Sequence, residues 1–213
     1  MKMEIIILTM SSKHGQYCVA GINPNTGEWV RLVSNNTETH GALARSDMMC
    51  ENGTMCKVRD LVVVEIIRYT PIPYQPENVL LDTACRWIRI REVSLRELCT
   101  IHPPEIHTSL LGNKWAYITE ERISVVGHSL VFVWVIDLLI THPEPKKSKA
   151  KFTYKNSRGI SSMYENISVT DPDYYNNEFQ TNHALMISLP DAPWEGRFYK
   201  FIAKIFPFRM NKE

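Results

Sequence analysis

The chain has no Gly-x-x-x-x-Gly-Lys-Ser/Thr loop and no Gly-x-Gly-x-x-Gly turn, so it lacks the usual backbone cradles for a nucleoside triphosphate or a dinucleotide. Gly-x-Ser-x-Gly and His-Glu-x-x-His are missing too, which removes the nucleophile elbow and the metalloprotease helix. The five cysteines, Cys18, Cys50, Cys56, Cys85 and Cys99, are odd in number, irregular in spacing and free of any Cys-x-x-Cys pair. A zinc knuckle on Cys50 and Cys56 would need two distant partners, so free thiols in a reducing compartment are the preferred reading. No apolar run reaches membrane-spanning length, because the longest, residues 130–140, is broken by Asp137. The N-terminal run is also too short for a signal peptide and has Glu4 at its head, so it reads as a first strand. Charge of one sign is not in excess: 24 Lys and Arg oppose 23 Asp and Glu, which predicts no strong long-range pull toward DNA or lipid. The expectation is a cytoplasmic protein without membrane contact, cofactor or resident metal.

What the chain does have is β-forming sequence. Strands are predicted over residues 4–10, 16–22, 28–34, 58–69 and 86–93, then over 129–141, 149–156, 162–169, 183–189 and 197–208. The turn Asn23-Pro24-Asn25-Thr26-Gly27 joins the second and third of these as a hairpin, with Pro24 presetting φ and Gly27 free to take a positive one. Ser94 three positions before Glu97, and Thr119 before two glutamates, mark the starts of short helices. A short helical piece is also read near residues 43–49. Two successive groups of about five strands suit five-stranded barrels, which manage their own edges by closing. The predicted fold is mainly β, with two OB-like five-stranded barrels and short helical connections, divided into residues 1–115 and 116–213. A single larger barrel and a β-sandwich are the competing architectures, and no residue-by-residue repeat is visible.

Several side-chain groupings point toward ligands. In the strand 28–34, Trp29 and Arg31 share one face and Val30 and Leu32 the other, so an indole and a guanidinium would stand together if the aliphatic pair lines a barrel. Such a pair suits a base and a phosphate; its bland counterpart is an aromatic packed between domains under an arginine. Trp87, Arg89 and Arg91 repeat the pattern. Lys13, in the loop Ser11-Ser12-Lys13-His14-Gly15, is placed for a phosphate, or for a plain hairpin tip. Six lysines or arginines lie between His142 and Gly159 against one glutamate, with Lys149 and Lys151 opposite in parity to Phe152 and Tyr154. That parity fits either a core face with a solvated face or a backbone-binding patch in which Tyr154 stacks on a base. Asp171 and Asp173 flank Pro172, which reads as turn chemistry or as the start of an acidic site.

The ordered series Cys18-Val19-Ala20-Gly21, Gly27-Glu28-Trp29-Val30-Arg31-Leu32-Val33-Ser34, Gln75-Pro76-Glu77-Asn78, Val169-Thr170-Asp171-Pro172, Ser188-Leu189 and Phe198-Tyr199-Lys200-Phe201-Ile202-Ala203 resembles the dual OB-fold domain family over essentially the whole chain. The resemblance implies two OB barrels and a role in nucleic-acid or nucleotide recognition, usually without an assigned enzymatic activity. The chain departs from the family pattern at Leu32, where proline is preferred, and at Pro190-Asp191, where Gly-Glu is usual. The leading expectation is therefore a non-catalytic module for single-stranded DNA, RNA or a nucleotide, contacted through Lys13, Trp29, Arg31, Asn78, Trp87, Arg89, Lys149, Lys151, Tyr154 and Asp171. The alternatives are a nucleotide- or nucleic-acid-processing enzyme with an acidic site between the domains, and a protein-interaction module of unidentified partner.

Overall fold

The computed structural model describes residues 1–13, 15–144, 147–174 and 179–207; the side chains of residues 13 and 179–182 lie outside that description. The protein is mainly β and forms two compact units, Met1–Pro103 and Pro104–Glu213. This division lies ahead of the 115/116 boundary drawn from sequence. Residues 105–112 are bonded into the second unit, with Glu105 N donating to Phe132 O at 2.6 Å and Leu110 N to the Tyr164 hydroxyl at 3.0 Å. Among the described residues, no helix is long and apolar enough to cross a membrane.

The first unit contains β1 (Lys2–Lys13), β2 (Gln16–Ile22), β3 (Trp29–Val33), β4 (Asp60–Tyr69), β5 (Asn78–Leu81), β6 (Ile88–Glu92) and the helix α1 (Leu95–Ile101). The β2–β3 hairpin forms as the turn chemistry predicts, with Gly27 at φ 72° and its N–H donating to Asn23 O at 2.8 Å. The ring runs β1–β2–β3–β5–β4 and returns from β4 to β1; the β3–β5 pair is parallel and the other pairs are antiparallel. The fifth member of this ring is Asn78–Leu81, which sequence patterning did not single out, whereas residues 88–92 only extend the edge of β4. The reason is physical: β5 is four residues long and almost wholly buried, so it has no polar alternation to reveal it. Ile5, Ile7, Val19, Val30, Leu32, Val62, Val64, Val79 and Trp87 fill the interior. Ser94 caps α1 by accepting from Glu97 N at 3.1 Å.

The second unit contains β7 (Tyr117–Thr119), β8 (Leu130–Glu144), β9 (Lys147–Lys155), β10 (Ser161–Val169), β11 (Phe179–Ser188), β12 (Arg197–Tyr199) and β13 (Phe201–Pro207). Its closed barrel runs β8–β9–β10–β13–β11, with β10 and β13 parallel. Numbered within each unit, both rings follow the order 1-2-3-5-4 and close back on the first strand. The two barrels thus share a topology that no residue repeat announced.

The strand predicted over 197–208 is two strands. Arg197–Tyr199 pairs with β7, while Phe201–Pro207 pairs with β11 and β10, and Lys200 stands at the break. Its side chain is buried, and Nζ donates to Asn113 O at 2.6 Å and Asn113 Oδ1 at 2.9 Å, 5.6 Å from the centre of the Tyr164 ring. Burial pushes this lysine down from its ordinary 10.5 to about 7.

Two expectations follow from this packing. A Cβ added at Gly21 would sit 2.0 Å from the Ile6 carbonyl oxygen and 2.9 Å from Ile5 Cγ2, so Gly21→Ala should cost about 1–3 kcal/mol in urea unfolding. Gly127→Ala, with no atom within 4 Å of the new carbon, is the neutral control. For Lys200, the unfolded chain binds more protons than the folded one between about 7 and 10.5, so its contribution to stability is smallest below that window and grows through it. The stability of the wild type relative to Lys200→Met should accordingly increase as the pH is raised across that window; a pH-independent difference would contradict the assignment.

Candidate functional site

In β3 the side chains divide as their parity requires. Val30 and Leu32 enter the first barrel's core, and Trp29 and Arg31 take the opposite face. That face is not an open platform. Arg31 is 7% exposed, and its Nε lies 3.5 Å from Glu77 Oε1 while its backbone N–H donates to Glu77 O at 2.9 Å. The parallel register sets Arg31 opposite Asn78, so the loop Gln75–Asn78 covers the guanidinium. Gln75, Glu77 and Asn78 are themselves buried, with Asn78 Nδ2 donating to Gln75 Oε1 at 3.1 Å. Trp29 is half-buried and meets the His102 ring edge-on, with centroids 4.8 Å apart. A phosphate reaching Arg31 would have to displace a buried carboxylate, which is unfavourable. The Trp29–Arg31 platform is therefore corrected to a structural cluster.

Trp87 is also corrected: it is 0% exposed, inside the first barrel, although Arg89 two residues later points outward. The alternation fails because Trp87 precedes β6 and bridges to Cys50, whereas Arg89 pairs with Val62 of β4. Arg89 binds the buried Asp60 at 2.8 Å. Tyr154 is buried in the second barrel, its hydroxyl accepting from His107 N at 2.6 Å, and no base can reach its ring. Asp171 is buried as well: Lys204 Nζ donates to Oδ1 at 3.0 Å and Ile205 N to Oδ2 at 2.8 Å, which ties the end of β10 to β13. Burial raises the Asp171 carboxyl above its usual range even so. These bonds make Asp171 a strand clamp rather than an open acidic site. The Lys13 side chain lies outside the described residues.

Lys149 and Lys151 fare differently. In β9 the residues Ser148, Ala150, Phe152 and Tyr154 turn inward, so Lys147, Lys149, Lys151 and Lys155 share the outer face. A cavity of about 230 Å³ opens there, lined by Leu139, Thr141, Lys149, Lys151, Glu165 and Asn166. Irregular pairing shapes it. The β8–β9 register shifts between Ile136 and Leu139, the β9–β10 register between Tyr164 and Ile167, and Asp137 and Asn166 take left-handed backbone at φ 54° and 59°. Such bulges bend strands locally and re-aim their side chains. Lys151 is held at 2.8 Å by Glu165, while Lys149 donates to Ser168 Oγ at 2.8 Å. Burial, reinforced by Lys147, lowers the pKa of Lys149.

A second feature of this unit escaped the sequence reading. Trp115 and Trp194 are 61% and 65% exposed. Tyr117 of β7 pairs directly with Tyr199 of β12, their rings 5.7 Å apart, and Trp194 lies 5.8 Å from Tyr199. The Arg197 guanidinium sits 4.5 Å from the Tyr117 ring centre, and Lys114 Nζ sits 5.0 Å from that of Trp115. The presentation is built in. Glu195 and Gly196 both have positive φ, and Trp194 and Arg197 exchange backbone hydrogen bonds of 2.9 and 3.0 Å, the geometry of a two-residue hairpin turn. Asn113 accepts from Trp115 N at 2.9 Å, donates to Tyr117 O at 3.0 Å, and is itself held by Lys200. The available sequence signal was a tryptophan within Pro193-Trp194-Glu195-Gly196, a turn too tight to carry the ring into a core.

None of the five cysteines is in a disulfide, and Cys50 and Cys56 are buried in the first core, where desolvation raises both thiols. Among the described residues, one set of His, Cys, Asp or Glu side chains has the spacing of a metal site, namely Glu105, His107 and His128 in the second unit.

Compared with known proteins, the chain matches the sequence model of the dual OB-containing domain over residues 3–205. No curated protein and no solved structure matches it significantly.

The reassignment of Arg31 is testable by unfolding. Arg31→Leu, which leaves Glu77 buried beside an apolar chain, should lose about 3–5 kcal/mol, and Arg31→Leu combined with Glu77→Leu should recover much of that loss. Strictly additive losses in the double variant would show that the two side chains do not act as a pair.

Proposed function

The chain belongs to the dual OB-containing domain family, and from that premise we propose that its second barrel binds single-stranded nucleic acid without sequence readout. The observation that carries this reading is the exposed pair Trp115 and Trp194, beside the half-buried Tyr117 and Tyr199 and interleaved with Lys114 and Arg197. Base stacking on exposed rings tolerates any sequence, because every base has a π-face, and neighbouring cations meet the phosphates.

Topology supports the same reading. OB barrels hold oligonucleotides on the face of their second and third strands and in the loops joining strands one to two and four to five. In the second barrel β9 is the second strand, and it carries the outward lysines and the cavity beside Lys149 and Lys151. The aromatic hairpin lies between β11 and β13, the fourth and fifth strands of the ring. Bases would stack on Trp194, Trp115 and Tyr199, while Lys149, Lys151 and Arg197 would engage phosphates. A free nucleotide would use one such stack and one such cation, with correspondingly weaker binding. The near-neutral total charge fits a local basic face rather than a general polyanion affinity.

Quenching of tryptophan fluorescence by short single-stranded DNA and RNA, at two salt concentrations, tests the proposal. Trp194→Ala and Trp115→Ala should each weaken binding by about 1–3 kcal/mol. Lys149→Ala and Lys151→Ala should each reduce the slope of log affinity against log salt by about 0.7. Absence of binding to either polymer at low salt would sink the proposal, and retention of full affinity in both tryptophan variants would move the site elsewhere.

A further inference from the structure

We infer that Glu105, His107 and His128 form a binding site for a divalent transition-metal ion of the zinc class. One ligand atom from each of the three residues lies within 4.8 Å of the other two. The inference is independent of nucleic-acid binding, since none of the three belongs to the lysine face or the aromatic hairpin.

The segment that supplies the first two donors is fixed before any ion arrives. Glu105 N donates to Phe132 O at 2.6 Å, which lays the segment along the start of β8. His107 is anchored through its backbone on both sides: its N–H donates to the Tyr154 hydroxyl at 2.6 Å, and its carbonyl accepts from Ser157 N at 3.0 Å. Asn156 Nδ2 reaches Thr108 O at 3.2 Å. His128 immediately precedes Ser129, whose carbonyl accepts from Leu189 N at 2.9 Å. The donors therefore rest on barrel strands and their anchored flanks.

The side chains are oriented as well. Phe132 N donates to Glu105 Oε1 at 3.3 Å, while Glu105 Oε2 points at His107 Nε2 from 2.6 Å. One carboxylate oxygen is thus held by the backbone and the other faces the histidines, the arrangement by which outer hydrogen bonds aim a ligating carboxylate. The rings of His107 and His128 are near-parallel, 28° apart in plane with centroids 5.4 Å from each other. Zinc–ligand bonds of about 2.0–2.2 Å place neighbouring donors roughly 3.3 Å apart in a tetrahedral site. An entering ion would spread the 2.6 Å Glu105–His107 contact and draw His128 inward, both by modest side-chain rotation.

The donor set selects the metal class. Two imidazole nitrogens and one carboxylate oxygen suit Zn(II), Co(II), Ni(II) or Fe(II) better than Ca(II) or Mg(II), which take oxygen ligands. Three protein ligands leave at least one coordination position to water. All three residues are only partly buried.

The test uses the full chain, stripped with a chelator, titrated with Co(II) and followed by visible absorption. The expected result is binding of one Co(II) per chain, with the ligand-field bands of a four- or five-coordinate ion, no sulfur-to-cobalt charge-transfer band, and displacement by Zn(II). His107→Ala, His128→Ala and Glu105→Gln should each weaken binding about tenfold or more, while His40→Asn, at an exposed histidine elsewhere, should bind like the wild type. Far-UV circular dichroism of the metal-free variants separates lost ligation from lost folding. The inference is overturned if the wild type gives no ligand-field bands, if sulfur charge transfer dominates, or if affinity survives in both histidine variants.

Discussion

Closing five strands into a ring in the order 1-2-3-5-4 sets the third and fifth strands side by side, running the same way, and in both barrels buried charged side chains lie next to that pair. The two members of the pair are not consecutive: the fourth strand lies between them in sequence and pairs antiparallel with the fifth, and the segment entering the fifth strand passes beside the third. In the first barrel the returning segment brings Gln75, Glu77 and Asn78 onto Arg31 of β3. In the second, Ser168 and Val169 of β10 meet Phe201 and Ile202 of β13, with Asp171 just beyond one strand and Lys200 just before the other. Arg31, Glu77, Asp171 and Lys200 are buried where irregular backbone meets the parallel pair, which is where the regular ladder leaves polar groups to be satisfied.

The same topology is put to different uses. The first barrel spends its arginine–glutamate pair on closure. In the second barrel Asp171 bonds Lys204 and the Ile205 N–H, which leaves the long fourth-to-fifth connection free to project as a hairpin carrying Trp194 and Arg197. Lys200 connects the two roles: its ammonium is buried against Asn113, and Asn113 in turn holds the backbone on either side of the Trp115 loop. A buried residue at the break between β12 and β13 thereby helps to set the position of the exposed Trp115.

Much of the fold and part of the site were legible in the sequence. Period-two patterning located β2, β3, β8, β9 and β10, the Asn23–Gly27 turn formed as its chemistry requires, and the opposite parity of Lys149 and Lys151 to Phe152 and Tyr154 correctly separated the two faces of β9. Alternation reports which side chains share a face, and it did so for Trp29 and Arg31 as well. It carries no information about what lies over that face.

The mainly β content, most of the strands and the faces of β3 and β9 were therefore determined by the sequence, because they depend on local backbone preference and on the period of apolar side chains. Tertiary structure decided the rest. It buried Trp87 and Tyr154, covered Arg31 with a segment more than forty positions away in the chain, exposed Trp115 and Trp194, and gathered Glu105, His107 and His128. Each of these outcomes depends on contacts between residues distant along the chain, and a one-dimensional pattern cannot encode which distant segment arrives to desolvate, neutralise or expose a given side chain.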